Sequence, residues 1–378
     1  MFWRVARLIP RLLALAAFGS AGAVLPAPAA VQTAPSDDWR PRTVPLLGVS
    51  YSPGVGLLIG GGVLHTRYGF RALPASTRLL GEAQYATGAR TYRAAALGEF
   101  RRPLAPAILN VELRASGLEI IRFYGFGNES DASQPDSAYQ VRQEQQLVAP
   151  AVSVPVTPRL RLLIGPLVKY VRTHRDAGTL LESTGPYYGT GNFGQVGAQA
   201  ALDVDTRDMP AAPARGAHVR VAGQWHPAAW DVVRPFGKVS AETATYLSLG
   251  DPPAATLALR AGGAGVSGTV PFHAAVFVGG ETTVRGYPEQ RFAGRSGAYA
   301  NAELRLRIGW LSVGDFGVFG LADAGRVWVA GESSSCCHAA AGGGLWLAWR
   351  HRRANTITIA AARSPERTAI YVRAGFMF

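Results

Sequence analysis

Cysteine is almost missing from these 378 residues: there are two, Cys336 and Cys337, and they are adjacent. Neighbouring cysteines rarely reach ordinary disulfide geometry, so a disulfide-stapled scaffold is excluded. Beside His338 they suggest a metal, but three consecutive residues do not make a tetrahedral site, and a loop position accounts for them. Lysine is equally scarce, with Lys169 and Lys238 alone among 38 basic residues. Charged residues make up 17% of the chain, against about 25% in an average protein. With so little Glu and Lys and with 45 glycines, a long coiled coil is excluded. After the first 30 residues there is no apolar run long enough for a spanning helix, which disfavours a polytopic helical membrane protein. What is present, 48% hydrophobic and 10% aromatic residues, rules out a disordered chain.

The formal charge is +13, but the arginines are spread along the chain in no dense block, and no nucleic-acid module is recognisable. Nucleic acid is therefore not an expected partner. Motifs for chemistry are equally sparse. Gly189-Thr190-Gly191-Asn192-Phe193-Gly194 matches G-x-G-x-x-G, yet it lies in a loop between amphipathic segments instead of between a strand and a helix. Asp203, Asp205 and Asp208 lack the spacing and the glycine of an EF-hand loop. There is no G-x-S-x-G elbow, H-E-x-x-H pair or Cys₂His₂ spacing. The expectation is a protein with no cofactor, no metal and no catalytic centre.

The N-terminus has the form of an export signal. Arg4, Arg7 and Arg11 precede the small-apolar run Leu12 to Leu25, and Ala27-Pro28-Ala29 supplies a cleavage site. This predicts a signal peptide over 1–29, a flexible leader over 30–43 and a barrel over 44–378. From Val44 onward the chain alternates apolar and polar residues in segments separated by turn clusters. In Ala298 to Trp310 one face carries Ala298, Ala300, Ala302, Leu304, Leu306, Ile308 and Trp310, and the other is mostly polar. Counting such segments predicts sixteen strands: 44–51, 54–66, 76–86, 90–100, 108–121, 139–153, 158–172, 192–204, 215–226, 234–248, 255–267, 298–309, 313–323, 339–349, 355–363 and 368–378. An even number, with short connections alternating with long ones at 122–138, 173–191 and 268–297, suits an outer-membrane barrel with short periplasmic turns and long external loops. The last segment places Thr368, Ile370, Val372, Ala374, Phe376 and Phe378 on one face, as a lipid-facing strand ending in an interfacial aromatic would. The fold class expected is all-β, a 16-stranded antiparallel transmembrane β-barrel.

Several motifs in order sharpen this. Gly279-Gly280-Glu281-Thr282-Thr283-Val284-Arg285-Gly286-Tyr287 is followed by Arg291-Phe292-Ala293-Gly294-Arg295, Asn301-Ala302-Glu303-Leu304-Arg305 and Ala322-Asp323-Ala324-Gly325-Arg326-Val327-Trp328. Upstream lie Phe123-Tyr124-Gly125-Phe126-Gly127-Asn128 and the turn from Asp205-Thr206-Arg207-Asp208 to Pro213-Ala214-Arg215-Gly216. Together, over about 120–378, these resemble the BamA/TamA-like outer-membrane insertase and transporter superfamily, the bacterial surface antigen family. The resemblance implies a sixth loop folded into the lumen and locked there through Val284, Arg285, Gly286 and Tyr287, with Arg285 paired to Asp323, Glu303 nearby and Gly325 beside them. An arginine fork in a partly dry lumen needs such a carboxylate partner. Where the family often has Phe two residues before this Asp, the chain has Leu321.

Strand 1 is expected to be short and interrupted by Pro45 and Gly48, and strand 16 carries Gly375 near its end. A weak lateral seam involving Gly48, Gly375 and Phe378 is therefore expected. The implied function is assistance with protein or lipid insertion or translocation at the bacterial outer membrane. The expected partners are outer-membrane lipids, unfolded outer-membrane protein clients and a separate periplasmic partner. The alternative is a passive outer-membrane pore or structural barrel. Relatives usually carry periplasmic POTRA domains ahead of the barrel, and residues 30–43 leave no room for one.

Overall fold

The computed structural model describes residues 39–378 apart from 71, 73, 104, 335 and 336, together with a two-residue strand at Ala14–Leu15 that runs parallel to Leu46 and Leu47. The rest of the expected signal peptide, most of the expected leader and Cys336 lie outside the described residues.

Sixteen strands make the wall: β1 (Arg42–Ser52), β2 (Gly56–Arg67), β3 (Thr77–Ala86), β4 (Thr91–Arg101), β5 (Ile108–Ser116), β6 (Gln143–Pro155), β7 (Leu160–Thr173), β8 (Gly191–Asp205), β9 (Gly216–His226), β10 (Phe236–Leu249), β11 (Ala255–Gly268), β12 (Ser296–Leu311), β13 (Gly314–Trp328), β14 (His338–Trp349), β15 (Thr356–Arg363) and β16 (Thr368–Ala374). Each pairs antiparallel with its sequence neighbours, and β16 returns to β1, closing the barrel. The long connections 117–142, 174–190 and 269–295 gather at one end, and tight turns such as 156–159 and 312–313 lie at the other. The connection 87–90 is also tight although it sits at the long-loop end. Gly189 and Thr190 precede β8 and Gly191 to Gly194 begin it, so the motif opens a strand and not a helix.

Because side chains alternate across a strand, each strand shows one face outward and one inward. On β12, Leu304 and Leu306 are 48% and 37% exposed, whereas Asn301, Glu303 and Arg305 are buried. The thirteen-residue alternation is regular to Arg307: there a bulge between Arg307 and Gly309 shifts the register, so that Gly309 and not Ile308 pairs with Phe316, while Ile308 and Trp310 stay exposed.

Four of the other boundaries that differ from expectation do so for physical reasons. β1 is not short but eleven residues long, with Pro45 paired to Val63 and Gly48 to Gly60. A proline is tolerated because this strand has only one full-length neighbour. β5 stops at Ser116 because the chain from Gly117 turns away and pairs only through isolated bridges, Arg122 to Gln140 and Phe126 and Gly127 to Ala293. β13 runs on to Trp328, so Asp323 lies within the strand and not at its end. β16 ends at Ala374, and the expected lipid-facing continuation through Phe376 to Phe378 does not form. Gly375 adopts a φ of +78°, which a side chain would strain. Its N–H donates to the Thr356 carbonyl at 2.7 Å and its carbonyl accepts from the Thr358 hydroxyl at 2.8 Å. From there the chain bends inward.

Candidate functional site

The connection between β11 and β12 is the sixth at the long-loop end, and it is held against inward-facing side chains of the wall. It contains a small hairpin in which Val276–Val278 pairs with Phe292–Gly294, and the tip between them carries the V-R-G-Y motif. Arg285 is 3% exposed. Its Nε and Nη2 donate to Asp323 Oδ2 and Oδ1 at 2.7 and 2.8 Å, a bidentate fork, and its backbone N–H adds a third bond to Oδ2 at 3.0 Å. Nη1 donates to Glu303 Oε1 at 2.5 Å. The other oxygen of Glu303 accepts from Arg305 Nε and Nη2 at 2.9 and 2.7 Å. Asn301, directly across the ladder from Asp323, donates to Asp323 Oδ1 at 2.9 Å and to the Thr283 carbonyl at 2.7 Å. Two arginines therefore balance two carboxylates in a fully buried row. Burial works against the charge on Arg285, but Glu303 and Asp323 outweigh it and hold the guanidinium above its ordinary pKa.

The neighbours of Arg285 fix its approach. Gly286 has φ +90°, and a Cβ there would meet the Ser364 nitrogen at 3.0 Å. Its N–H donates to the Tyr371 hydroxyl on β16, and its carbonyl accepts from the Ser364 hydroxyl, both at 2.9 Å. Val284 and Tyr287 are buried in a cluster with Val278, Phe292, Val327 and Ala340. At Gly325 a Cβ would stand 2.8 Å from Val284 Cγ2, so only glycine lets the tip close on β13. Leu321 is buried with Phe319, Ala360, Ala362 and Tyr371, filling the space beneath.

Other loops clamp the same segment. Arg291 Nε–H is shared between both oxygens of Glu366 at 2.8 and 2.9 Å, while Nη1 and Nη2 donate to the hydroxyl and carbonyl of Ser130. The Gly127 N–H donates to the Ala293 carbonyl at 2.8 Å. Asn128 pairs with both the carbonyl and the N–H of Val327, at 2.7 and 3.0 Å. Within the loop, burial raises the Glu289 carboxyl to about 7, although the Glu281 N–H donates to it. At the opposite end, the turn from Asp205 to Gly216 is tied by Arg207 onto Asp205 and by the Asp208 carboxylate accepting from the Ala214 and Arg215 N–H groups.

Val284, Arg285, Gly286, Tyr287, Glu303, Asp323 and Gly325 thus meet at one place. The three seam residues do not. Among the described residues β1 and β16 share one registered pair, Tyr51 with Val372, while β15 and β16 share seven, from Ile357–Ala374 to Arg363–Thr368. Gly48 lies on β1 and Gly375 ends β16, but Phe378 is off the seam. Its carbonyl accepts from Arg305 at 2.7 Å and its ring lies 6.4 Å from that of Tyr246 on β10. The inward bend at Gly375 carries it there. Asn301, Arg305, Ser364 and Tyr371 complete the site without having been assigned to it. For Arg305 the signal was present, since it stands two residues from Glu303 on the same face.

A closed sixteen-stranded barrel with such a loop defines a class of outer-membrane β-barrel. Residues 82–354 match the Omp85 superfamily domain, and the chain belongs to that superfamily, which places it in the outer membrane. Among solved structures it is similar to BamA from Haemophilus ducreyi lacking POTRA domains 1–3, at 14% identity and a TM-score of 0.64, over 89% of this chain and 71% of that one. It is also similar to CdiB from Escherichia coli, at 12% identity and 0.56, over 90% and 63%, and to CdiB from Acinetobacter baumannii, at 12% and 0.52, over 89% and 59%. No curated protein matches.

Proposed function

We propose that this protein assists the insertion or translocation of protein clients, with lipid as a further cargo, at the outer membrane. In this proposal the segment 269–295 occupies the lumen as a locked sixth loop, and the seam between β1 and β16 is where a client strand pairs. The observation that carries it is the single registered pair across that seam. A strand edge with unpaired N–H and C=O groups is a template for another strand. The edge of β1 between Arg42 and Ser50 is such a template once the signal peptide is removed, since β16 is in register with β1 only at Tyr51 and the strand Ala14–Leu15, which pairs with Leu46 and Leu47, leaves with that peptide. The long-connection end faces outward from the cell, export is through a signal peptide cleaved near residue 29, and no catalytic step is involved. Unfolded outer-membrane proteins, membrane lipids and a separate periplasmic partner are the proposed partners.

The test is reconstitution. Liposomes holding the purified chain are mixed with an unfolded outer-membrane β-barrel client, and protease protection of the client is followed in time. Faster protection than in protein-free liposomes is expected. Equal rates, with and without periplasmic extract, would remove the proposal.

A further inference from the structure

All three guanidinium nitrogens of Arg305 donate hydrogen bonds. Both Nε and Nη2 hold Glu303, Nη1 donates to the Pro213 carbonyl in the β8–β9 turn at 3.3 Å, and Nη2 also donates to the Phe378 carbonyl at 2.7 Å. Its guanidinium lies 3.8 Å from the centre of the Phe376 ring, with the rings of Phe378 and Tyr246 at 5.6 and 5.9 Å. Phe376 in turn packs edge-on against Phe319 and beside Trp346. The segment after β16 is thus folded into an aromatic basket whose polar centre is Arg305. That same side chain is one carboxylate away from the loop lock, because the two oxygens of Glu303 are divided between Arg285 and Arg305. A second link runs from Gly286 to Tyr371 on β16.

We infer that Arg305 is a positioning residue that couples the docked state of loop 269–295 to the inward fold of Gly375–Phe378, so that the two are released together. Glu303 is buried and needs both cations. If Arg285 leaves, Arg305 is drawn wholly onto Glu303 and its bond to Phe378 weakens. If the segment around Phe378 leaves, Arg305 gains freedom and Glu303 is held less firmly for Arg285. Linkage makes the two effects reciprocal. The inward fold withholds Gly375–Phe378 from pairing beyond Ala374, so release of the loop frees the end of the last strand. The consequence for clients rests on the function proposed above, whereas the coupling itself does not.

Hydrogen exchange of the full chain in lipid, resolved to peptides covering 279–291 and 368–378, tests it without any client. Arg285→Ala is expected to raise exchange by about tenfold or more in 368–378 as well as in its own loop. Arg305→Ala and Phe376→Ala/Phe378→Ala are expected to raise it in 279–291, the aromatic pair doing so with no buried charge removed. Arg305→Lys keeps the charge but not the fork, and is expected to leave 368–378 unprotected. Peptides of β3–β5 serve as the control that the barrel is folded. A rise confined in every variant to the segment mutated would overturn the coupling.

Discussion

Each of the three guanidinium nitrogens of Arg285 donates to a buried carboxylate, and each carboxylate has a second donor of its own. A buried pair of this kind adds little over an apolar contact of the same shape, but breaking it strands a charge and costs about 3–5 kcal/mol. Arg285→Ala and Asp323→Ala are each expected to undock the loop at that cost, and the double variant to cost less than the sum. Protease sensitivity of residues 279–291 measures all three. Gly325→Val should undock it by another route, pushing Val284 and Val278 off β13 without touching a charge, at about 1–3 kcal/mol.

The loop as an element should respond to pH through Glu289. Burial, with a smaller repulsion from Glu281, outweighs the Glu281 N–H and the attraction of Arg367 and Arg122, and raises this carboxyl from 4.5 to about 7. A raised carboxyl holds its proton in the docked state while the undocked state has lost it. Docking is therefore strongest below about 4.5, weakens as pH rises to about 7 and is flat beyond. The total change is roughly 3 kcal/mol, and Glu289→Gln should abolish it. Sequence showed the strands well because alternation records burial directly: the face of Leu304 and Leu306 is legible without coordinates. It showed the lock through an ordered set of motifs. It did not show the bulge at Arg307–Gly309 or the inward turn at Gly375, since both break period 2 through backbone geometry that side-chain type does not announce. Nor did it show the chain 117–142 as a clamp: Asn128 acts on Val327, 199 residues away, and no local pattern records that.

For the whole molecule, two outcomes separate an insertase from a passive pore. If the sixth loop occupies the lumen as proposed, held by Asn128 and Arg291, single-channel conductance in planar bilayers should be small, and Arg285→Ala should raise it several-fold. A large, steady conductance unchanged by Arg285→Ala and Asp323→Ala would instead favour the pore. Client insertion by this route requires that the seam opens. Tyr51 and Val372 are direct cross-strand partners, and such Cα pairs, at about 4.5–5.5 Å, fall within disulfide range. In a chain with Cys336 and Cys337 replaced by serine, Tyr51→Cys with Val372→Cys should lock the seam on oxidation. Client folding in liposomes should then stop, and reduction should restore it. Undiminished client folding with the disulfide fully formed would show that the seam does not need to open.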